Sequence, residues 1–363
     1  MRVLYITYID FDDSGASGSS MRPKKMYNAF ITQGYDVKLL ECQQNRRRER
    51  KKKVREVLKW LENNAADFCY IESPSGPIFH KVDLNLIKKV HEMDIPIGYF
   101  CRDAFWLFKD KMRGVPFFKR NAIVWLNKRA IKTIRENVDI VYIPTESGIE
   151  LFNFAHFKRM GLLPPASECH LSSNGAIQRK CQHTCIYVGA VSEVDGTFDL
   201  LHAFKLLNST MKEEKYRLIL VARQAEWKKI CNEFDEPIDS NEWLSVYHAS
   251  QDELANLYNL SDIAIIPRKA NKYIDISMPI KLFEYMGYGK PIISTKRLET
   301  AKIIQKYKCG IICEDGADGI ANAIKAFYAD AQLRDELYRN VQIAARENRW
   351  ESRVEKVTND LLR

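Results

Sequence analysis

No apolar run in these 363 residues approaches the roughly 20 that a membrane-spanning helix requires, which argues against a helical membrane protein. The run Val3–Ile9 is short, and no small-residue cleavage site follows it in the usual place. It reads as a first core strand rather than a signal peptide. Cysteine occurs nine times, an odd and scattered set, which points away from a disulfide frame or zinc site and towards reduced cytosolic thiols. The dinucleotide pattern G-x-G-x-x-G is missing, and so is the phosphate loop G-x-x-x-x-G-K-[ST]. No helix-turn-helix, zinc-finger or RNA-module signature is present. The aromatics do not interleave with the charges as a stacking platform would need, so nucleic acid is not an expected partner. There is no internal repeat and no long low-complexity tract. The nearest is the basic run 46–53, a candidate loop.

What is present is the composition of a globular enzyme: 46% hydrophobic and 28% charged residues, in a chain long enough for two domains. The net charge of +9 is uneven. Residues Arg46–Lys59 carry nine cations against Glu49 and Glu56, and Lys109–Arg135 carry nine against Asp110. Both lie in the first half and predict an anionic partner. In the second cluster Ile123, Leu126, Ala130 and Ile134 share one helical face and Arg120, Lys128, Lys132 and Arg135 another. Such a helix packs on a core with a solvated face, meets an anionic membrane, or does both.

Strand and helix patterns alternate almost throughout, which predicts parallel sheets covered by helices. In the first half strands are expected near 3–9, 36–40, 67–71, 95–100 and 138–143, with helices near 21–33, 51–62, 85–93, 117–135 and 146–160. The stretch 160–183, with Gly161, Pro164, Pro165 and Asn174-Gly175, reads as a junction. The second half restarts with strands near 184–188, 216–221, 244–247, 262–266, 291–294 and 310–313, interleaved with helices, and 332–363 is helical.

The most informative segment is Met278–Ser294. A helix opening at Pro279 and closing at Gly287 and Gly289 runs into a buried strand. Lys281 and Glu284 lie three residues apart on one face. A helix N-terminus with a lysine attracts phosphate, and a neighbouring carboxylate accepts the paired hydroxyls of a ribose. A surface ion pair on an ordinary helix is the plainer alternative. Pro279-x-Lys281-x-x-Glu284-Tyr285-Met286-x-x-Gly289-Lys290-Pro291 resembles the donor-site segment of GT-B fold glycosyltransferases, in particular glycosyltransferase family four, and the resemblance runs along nearly the whole chain.

The resemblance implies an α/β architecture of two Rossmann-like doubly wound domains facing a cleft. Residues 1–170 would bind the acceptor and 171–345 the nucleotide sugar, while the helix 346–363 crosses back to the first domain. It implies a metal-independent hexosyl transferase of the cytoplasm, at the inner face of the membrane. The enzyme would use a nucleotide diphosphate sugar, UDP-linked, as co-substrate without a cofactor. It would act on a glycan or lipid-linked acceptor in cell-surface polysaccharide or glycolipid assembly, retaining anomeric configuration. Peripheral contact with an anionic membrane would run through Arg46–Lys59 and Phe117–Arg135. A nucleotide-sugar epimerase of the same fold and a non-catalytic nucleotide-binding or membrane-associated relative remain open.

Arg268, at the end of a hydrophobic strand, and Lys281 would neutralise the departing diphosphate, and Glu284 would hold the ribose. Backbone at Ser277 and Met278, with Tyr285, would complete the donor side. Gly15 and Gly18, in the loop after the first strand, let backbone approach the ligand, and Arg223 and His248 would flank the base. On the acceptor side Asp103 is the candidate base or orienting group, with Arg102, Phe105 and Trp106 beside it. The chain departs from the family at three places. Arg102-Asp103 stands where many members have His-Asp, Asp195 where a lysine is common, and Ile276 where a first glutamate often lies.

Overall fold

The computed structural model describes residues 1–11, 18–171, 182–209, 216–231, 238, 241–249 and 251–363. Gly15 and the Asn174-Gly175 turn lie outside them. The chain forms two units, Met1–Pro165 with Trp350–Arg363, and Ala166–Arg349.

In the first unit β1 (Arg2–Ile6), α1 (Gly18–Thr32), β2 (Asp36–Leu40), α2 (Arg47–Asn63), β3 (Phe68–Glu72), α3 (Lys81–Glu92), β4 (Ile97–Phe100), α4 (Phe117–Asn137), β5 (Ile140–Ile143), α5 (Glu146–Leu151) and β6 (Met160–Leu162) follow in order. The strands form one parallel sheet in the order β2-β1-β3-β4-β5-β6. Helices cover both faces, so the central strands are apolar in an unbroken run, and Val3, Leu4, Tyr5 and Ile6 are all buried. After β2 the chain crosses β1 and continues on its other side. This puts a topological switch point between β1 and β3, where open α/β sheets bind ligands at the strands' carboxyl ends.

The second unit runs β7 (Thr184–Val188), α6 (Thr197–Ser209), β8 (Arg217–Val221), α7 (Gln224–Cys231), β9 (Leu244–Tyr247), α8 (Gln251–Asn259), β10 (Ile263–Ile266), α9 (Lys272–Ile276), α10 (Ile280–Gly287), β11 (Ile292–Thr295), α11 (Leu298–Tyr307), β12 (Gly310–Cys313), α12 (Ala317–Ala329) and α13 (Ala331–Glu347). Its sheet is also parallel, ordered β12-β11-β10-β7-β8-β9, with the switch point between β7 and β10. Ile263 to Ile266 are fully buried and fix the middle of the core. The last helix, α14 (Trp350–Leu362), belongs to the first unit and packs on α1. There Gln33 Nε2 donates to the Glu351 carbonyl at 3.1 Å and the hydroxyls of Tyr35 and Thr358 meet at 2.7 Å.

Three expectations need correction. The helix expected over 146–160 ends at Leu151. Phe152 turns inward against Phe154 and Phe157, and His156 takes a left-handed conformation (φ 49°) that no helix continues through. The chain then returns as the short strand β6, paired to β5 with Ile143 opposite Leu162. The basic run 46–53 is not a loop, because α2 begins at Arg47. It does so because Arg50 turns inward, donating to Asp83 at 2.8 Å and to the carbonyls of Thr7 and Cys42 at 2.6 and 2.9 Å. Nor is α9 foreseen by the alternation; Asn271 caps it by accepting from the Tyr273 N–H at 2.9 Å. The described cysteines are free thiols; burial pushes those of Cys309 and Cys313 up to about 12, which keeps them unreactive.

Candidate functional site

The switch point of the second unit gathers Arg268, Lys281 and the α10 N-terminus. Helix α10 exists because Leu282, Phe283, Tyr285 and Met286 bury one broad face, leaving Lys281 and Glu284 half-buried. Lys281 lies over the Tyr187 ring, its Nζ 4.4 Å from the centroid and 3.2 Å from the phenol oxygen at the end of β7. Burial pulls the Lys281 ammonium down to about 8; Asp195 and Glu284 oppose this and Arg268 adds to it. The Tyr187 hydroxyl is itself held, donating to the Ala190 carbonyl at 2.5 Å, and burial keeps it far above its ordinary pKa.

Two glycines shape this corner. Gly189 follows β7, and a Cβ there would lie 2.5 Å from Lys281 Nζ, so any other residue would push the ammonium aside. Gly196, at φ +76°, opens α6; its Cβ would fall 1.7 Å from the Pro267 carbonyl oxygen. The loops after β7 and β10 are therefore pressed together. The same contact explains Asp195. It is fixed in the first loop by Ser192, whose Oγ donates to Oδ2 at 2.7 Å, and it faces Arg268 Nε at 3.6 Å. At the position where the resemblance led to expecting a lysine, this chain has the counter-ion of its arginine.

Glu284 sits among tyrosines. Burial raises Tyr258 and Tyr285 strongly and Tyr288 to about 12, and the Glu284 charge adds to each. Tyr285 is fully buried, and its hydroxyl meets the Val188 N–H at 3.0 Å and carbonyl at 3.4 Å. It clamps α10 to the end of β7, which differs from a ligand contact. The Ser277 hydroxyl donates to the Ile274 carbonyl at 3.0 Å, and Met278 packs half-buried on the core. Lys290 of the motif is buried, and its ammonium donates a hydrogen bond to the Ser261 carbonyl at 2.6 Å. Asp275 is 3.4 Å from Arg297, which also holds Asp315 at 2.5 and 2.7 Å. Arg223 and His248 lie further along the sheet, after β8 and β9. Arg223 is exposed and 3.5 Å from Glu226. His248 Nδ1 is 2.9 Å from the Ala222 carbonyl, and the ring lines a cavity of about 590 Å³ with Trp227, Lys228 and Val246.

In the first unit the acceptor candidates follow β4. Asp103 Oδ1 accepts from the Phe105 N–H at 2.9 Å and so starts the short 3-10 turn of Phe105–Leu107. Trp106 packs half-buried on the core with its edge to Phe154. Arg102 points at Glu72, 3.8 Å away, where β3 ends. Glu72 is fully buried and also accepts from Arg22 Nε at 3.1 Å and the Tyr70 hydroxyl at 2.8 Å. Neither Glu72 nor Arg22 was singled out in the sequence, where they look like ordinary surface charges. Gly18 opens α1. Asp10 and Asp12 share a D-x-D spacing; Asp10 lies 3.4 Å from Arg46, and Asp12 is outside the described residues. Among the described residues no three His, Cys, Asp or Glu side chains are grouped to hold a metal ion.

Residues 177–344 match the family model for glycosyl transferases group 1. A stretch of 59 residues is 36% identical to Bacillus subtilis (strain 168) TuaH, whose name places it among teichuronic acid biosynthesis glycosyltransferases. That stretch spans 16% of this chain and only 15% of that relative's length. Over the full length, sucrose-phosphate synthase from Thermosynechococcus elongatus superposes with a TM-score of 0.67 at 13% identity, covering 99% of this chain and 98% of that one. Anabaena HepE in complex with UDP gives 0.67 at 14%, covering 99% of both. WaaG, a glycosyltransferase involved in lipopolysaccharide biosynthesis, gives 0.65 at 14%, again covering 99% of both. The chain has the GT-B glycosyltransferase fold, and residues 177–344 of it resemble the glycosyl transferases group 1 family.

Proposed function

We propose that this protein transfers a hexosyl group from a UDP-sugar to a glycan or lipid-linked acceptor in cell-surface polysaccharide or glycolipid assembly. Transfer needs no metal and retains configuration at the anomeric carbon. The observation that carries the reading is Lys281, a half-buried cation seated on Tyr187 at the switch point of the second unit, where burial outweighs the pull of Asp195 and Glu284. A diphosphate would supply the missing negative charge. Breaking the bond from sugar to diphosphate leaves charge on the phosphate oxygens, and Lys281, Arg268 and the α10 N-terminus stabilise it. Glu284 accepts the two ribose hydroxyls. Retention calls for no protein nucleophile. Asp103 orients the acceptor hydroxyl, and would be its base if configuration were inverted. Anabaena HepE has been seen with UDP-glucose, which supports a UDP-linked donor here.

Calorimetry with UDP tests the donor site. The protein should bind, and Glu284→Ala should bind about tenfold or more weakly, since a charged hydrogen-bond partner contributes about 1.5–3 kcal/mol. Equal affinity in both would remove Glu284 from the site. A thermal-shift panel of nucleotide sugars names the donor, and turnover of that donor without acceptor would favour an epimerase instead.

A further inference from the structure

The loop 189–196, after β7, is fastened to the loop after β10 along its whole length. The Lys269 N–H donates to the Val194 carbonyl at 3.1 Å, and Lys269 Nζ lies 3.4 Å from Glu193 and 3.9 Å from Asp199. The Thr295 hydroxyl at the end of β11 donates to the Arg268 carbonyl at 2.6 Å. Within this frame one contact stays open. Asp195 and Arg268 are mostly buried, 18% and 19% exposed, yet their carboxylate and Nε stop 3.6 Å apart. That is too long for a hydrogen bond, and the buried Arg268 Nε has no hydrogen-bond partner among the described residues. Ser192 holds the acid back: its Oγ donates to Asp195 Oδ2 at 2.7 Å and accepts from the Asp195 N–H at 3.1 Å.

The same carboxylate also acts on Lys281. Burial draws that ammonium down, and of the charges around it Asp195 has the largest influence, ahead of Arg268 and Glu284. One acid therefore lies in the field of both cations that a diphosphate would use. An incoming phosphate meets like charge there, and it must share Arg268 with Asp195 or take it over. An acid whose task is to aim an arginine holds it by a short, charge-assisted hydrogen bond of about 2.7–2.9 Å. The wider gap here suits an ion pair that a better anion can displace.

We infer that Asp195 is a resident anion that competes with the nucleoside diphosphate for Arg268 and Lys281, and so hastens release of the spent diphosphate after transfer. The inference rests on the donor reading above and adds to it a residue that opposes binding. Calorimetry with UDP and with inorganic pyrophosphate, at about pH 6.5 where Lys281 keeps its proton, tests it on the full chain. Asp195→Asn can still accept from Ser192, and it should bind both ligands about tenfold more tightly than wild type, with UDP dissociation slowed by a similar factor in stopped flow. Asp195→Ser should show the same gain, so the result does not hang on the folding of one variant. Glu193→Gln, which removes an exposed acid from the same loop, should stay within about twofold. On raising the pH, UDP affinity should begin to fall earlier in Asp195→Asn, because the acid no longer supports the Lys281 ammonium. Unchanged or weaker affinity in both Asp195 variants would overturn the inference, weaker binding meaning that the acid aims Arg268 instead. An equal gain in Glu193→Gln would overturn it too, as an effect of loop charge at large. A wild-type chain that binds neither UDP nor pyrophosphate would overturn the donor reading and this inference with it, whereas wild-type binding with no gain in the variants overturns this inference alone.

Discussion

The carboxyl edges of the two sheets both bury cations, and they treat them in opposite ways. In the first unit Glu72 is sunk beneath Arg22 and Arg102. Burial opposes the Arg22 charge, but Glu72 and Tyr70 outweigh it and hold that guanidinium above its ordinary pKa. Arg22 also lies flat on Phe100, 3.5 Å from the ring, and donates to the Pro164 carbonyl. Arg102 shares the same carboxylate at longer range, and there burial wins and lowers it. In the second unit the opposing pull of Asp195 and Glu284 is weaker than burial, which takes Lys281 down to about 8. A cation already neutralised from within is architecture. One left short of negative charge is a place for an anion. By that measure Lys281 is the binding group, Arg22 is structural, and Arg102 stands between them.

The largest effect expected from breaking this contrast is Glu72→Ala. It leaves two buried arginines facing each other and should cost about 3–5 kcal/mol in urea unfolding; a loss under 1 kcal/mol would mean that Glu72 is not their anchor. Next is Lys281→Met. UDP affinity should fall about 100-fold, roughly 2.7 kcal/mol, while the melting temperature rises because a buried charge is gone. A variant that both melts lower and binds UDP normally would reverse the assignment. The same lysine sets a pH window. Its folded pKa lies below its ordinary 10.5, so between about 8 and 10.5 the unfolded chain holds the extra proton. Its contribution to stability therefore rises with pH across that window. UDP affinity should fall as pH climbs past about 8, and both trends should vanish in Lys281→Met. Gly189→Ala comes next: the new methyl would displace Lys281 Nζ and weaken UDP binding about tenfold with the fold kept, as circular dichroism would report. The smallest change expected is none, since excess EDTA should leave transfer rates where they were. A loss restored by a divalent ion would point back to Asp10 and Asp12.

Much of the fold is legible because buried parallel strands are apolar without interruption. Ile263–Ile266 and Ile140–Ile143 admit few other readings, and Gly34, at φ +80°, ends α1 as a glycine after a helix should. Strand β6 is not legible. Its Met-Gly-Leu is only half-buried, and its place comes from pairing with β5 rather than from any local preference. The donor motif announces Lys281 and Glu284 through helix spacing, but the depth of Lys281 depends on Tyr187, about a hundred residues earlier in the chain. Asp195 looked like a lost lysine, and only its 3.6 Å approach to Arg268 shows it as a counter-ion. Helix periodicity on α4 found the inward face correctly at Ala130 and Ile134. It left Phe117, Phe118 and Trp125 unread, because a pattern that seeks apolar residues inside has no place for apolar residues outside.

The membership of α14 in the first unit has a consequence for biosynthesis. Residues 166–349 form a contiguous block, whereas the first unit needs residues 350–363 to cover α1. On the ribosome, at roughly 5–20 residues per second, the later block can close first. The earlier one keeps Tyr35 and the outer side of α1 uncovered until the tail emerges, for about ten seconds or more, and during that interval it is a natural client for chaperones.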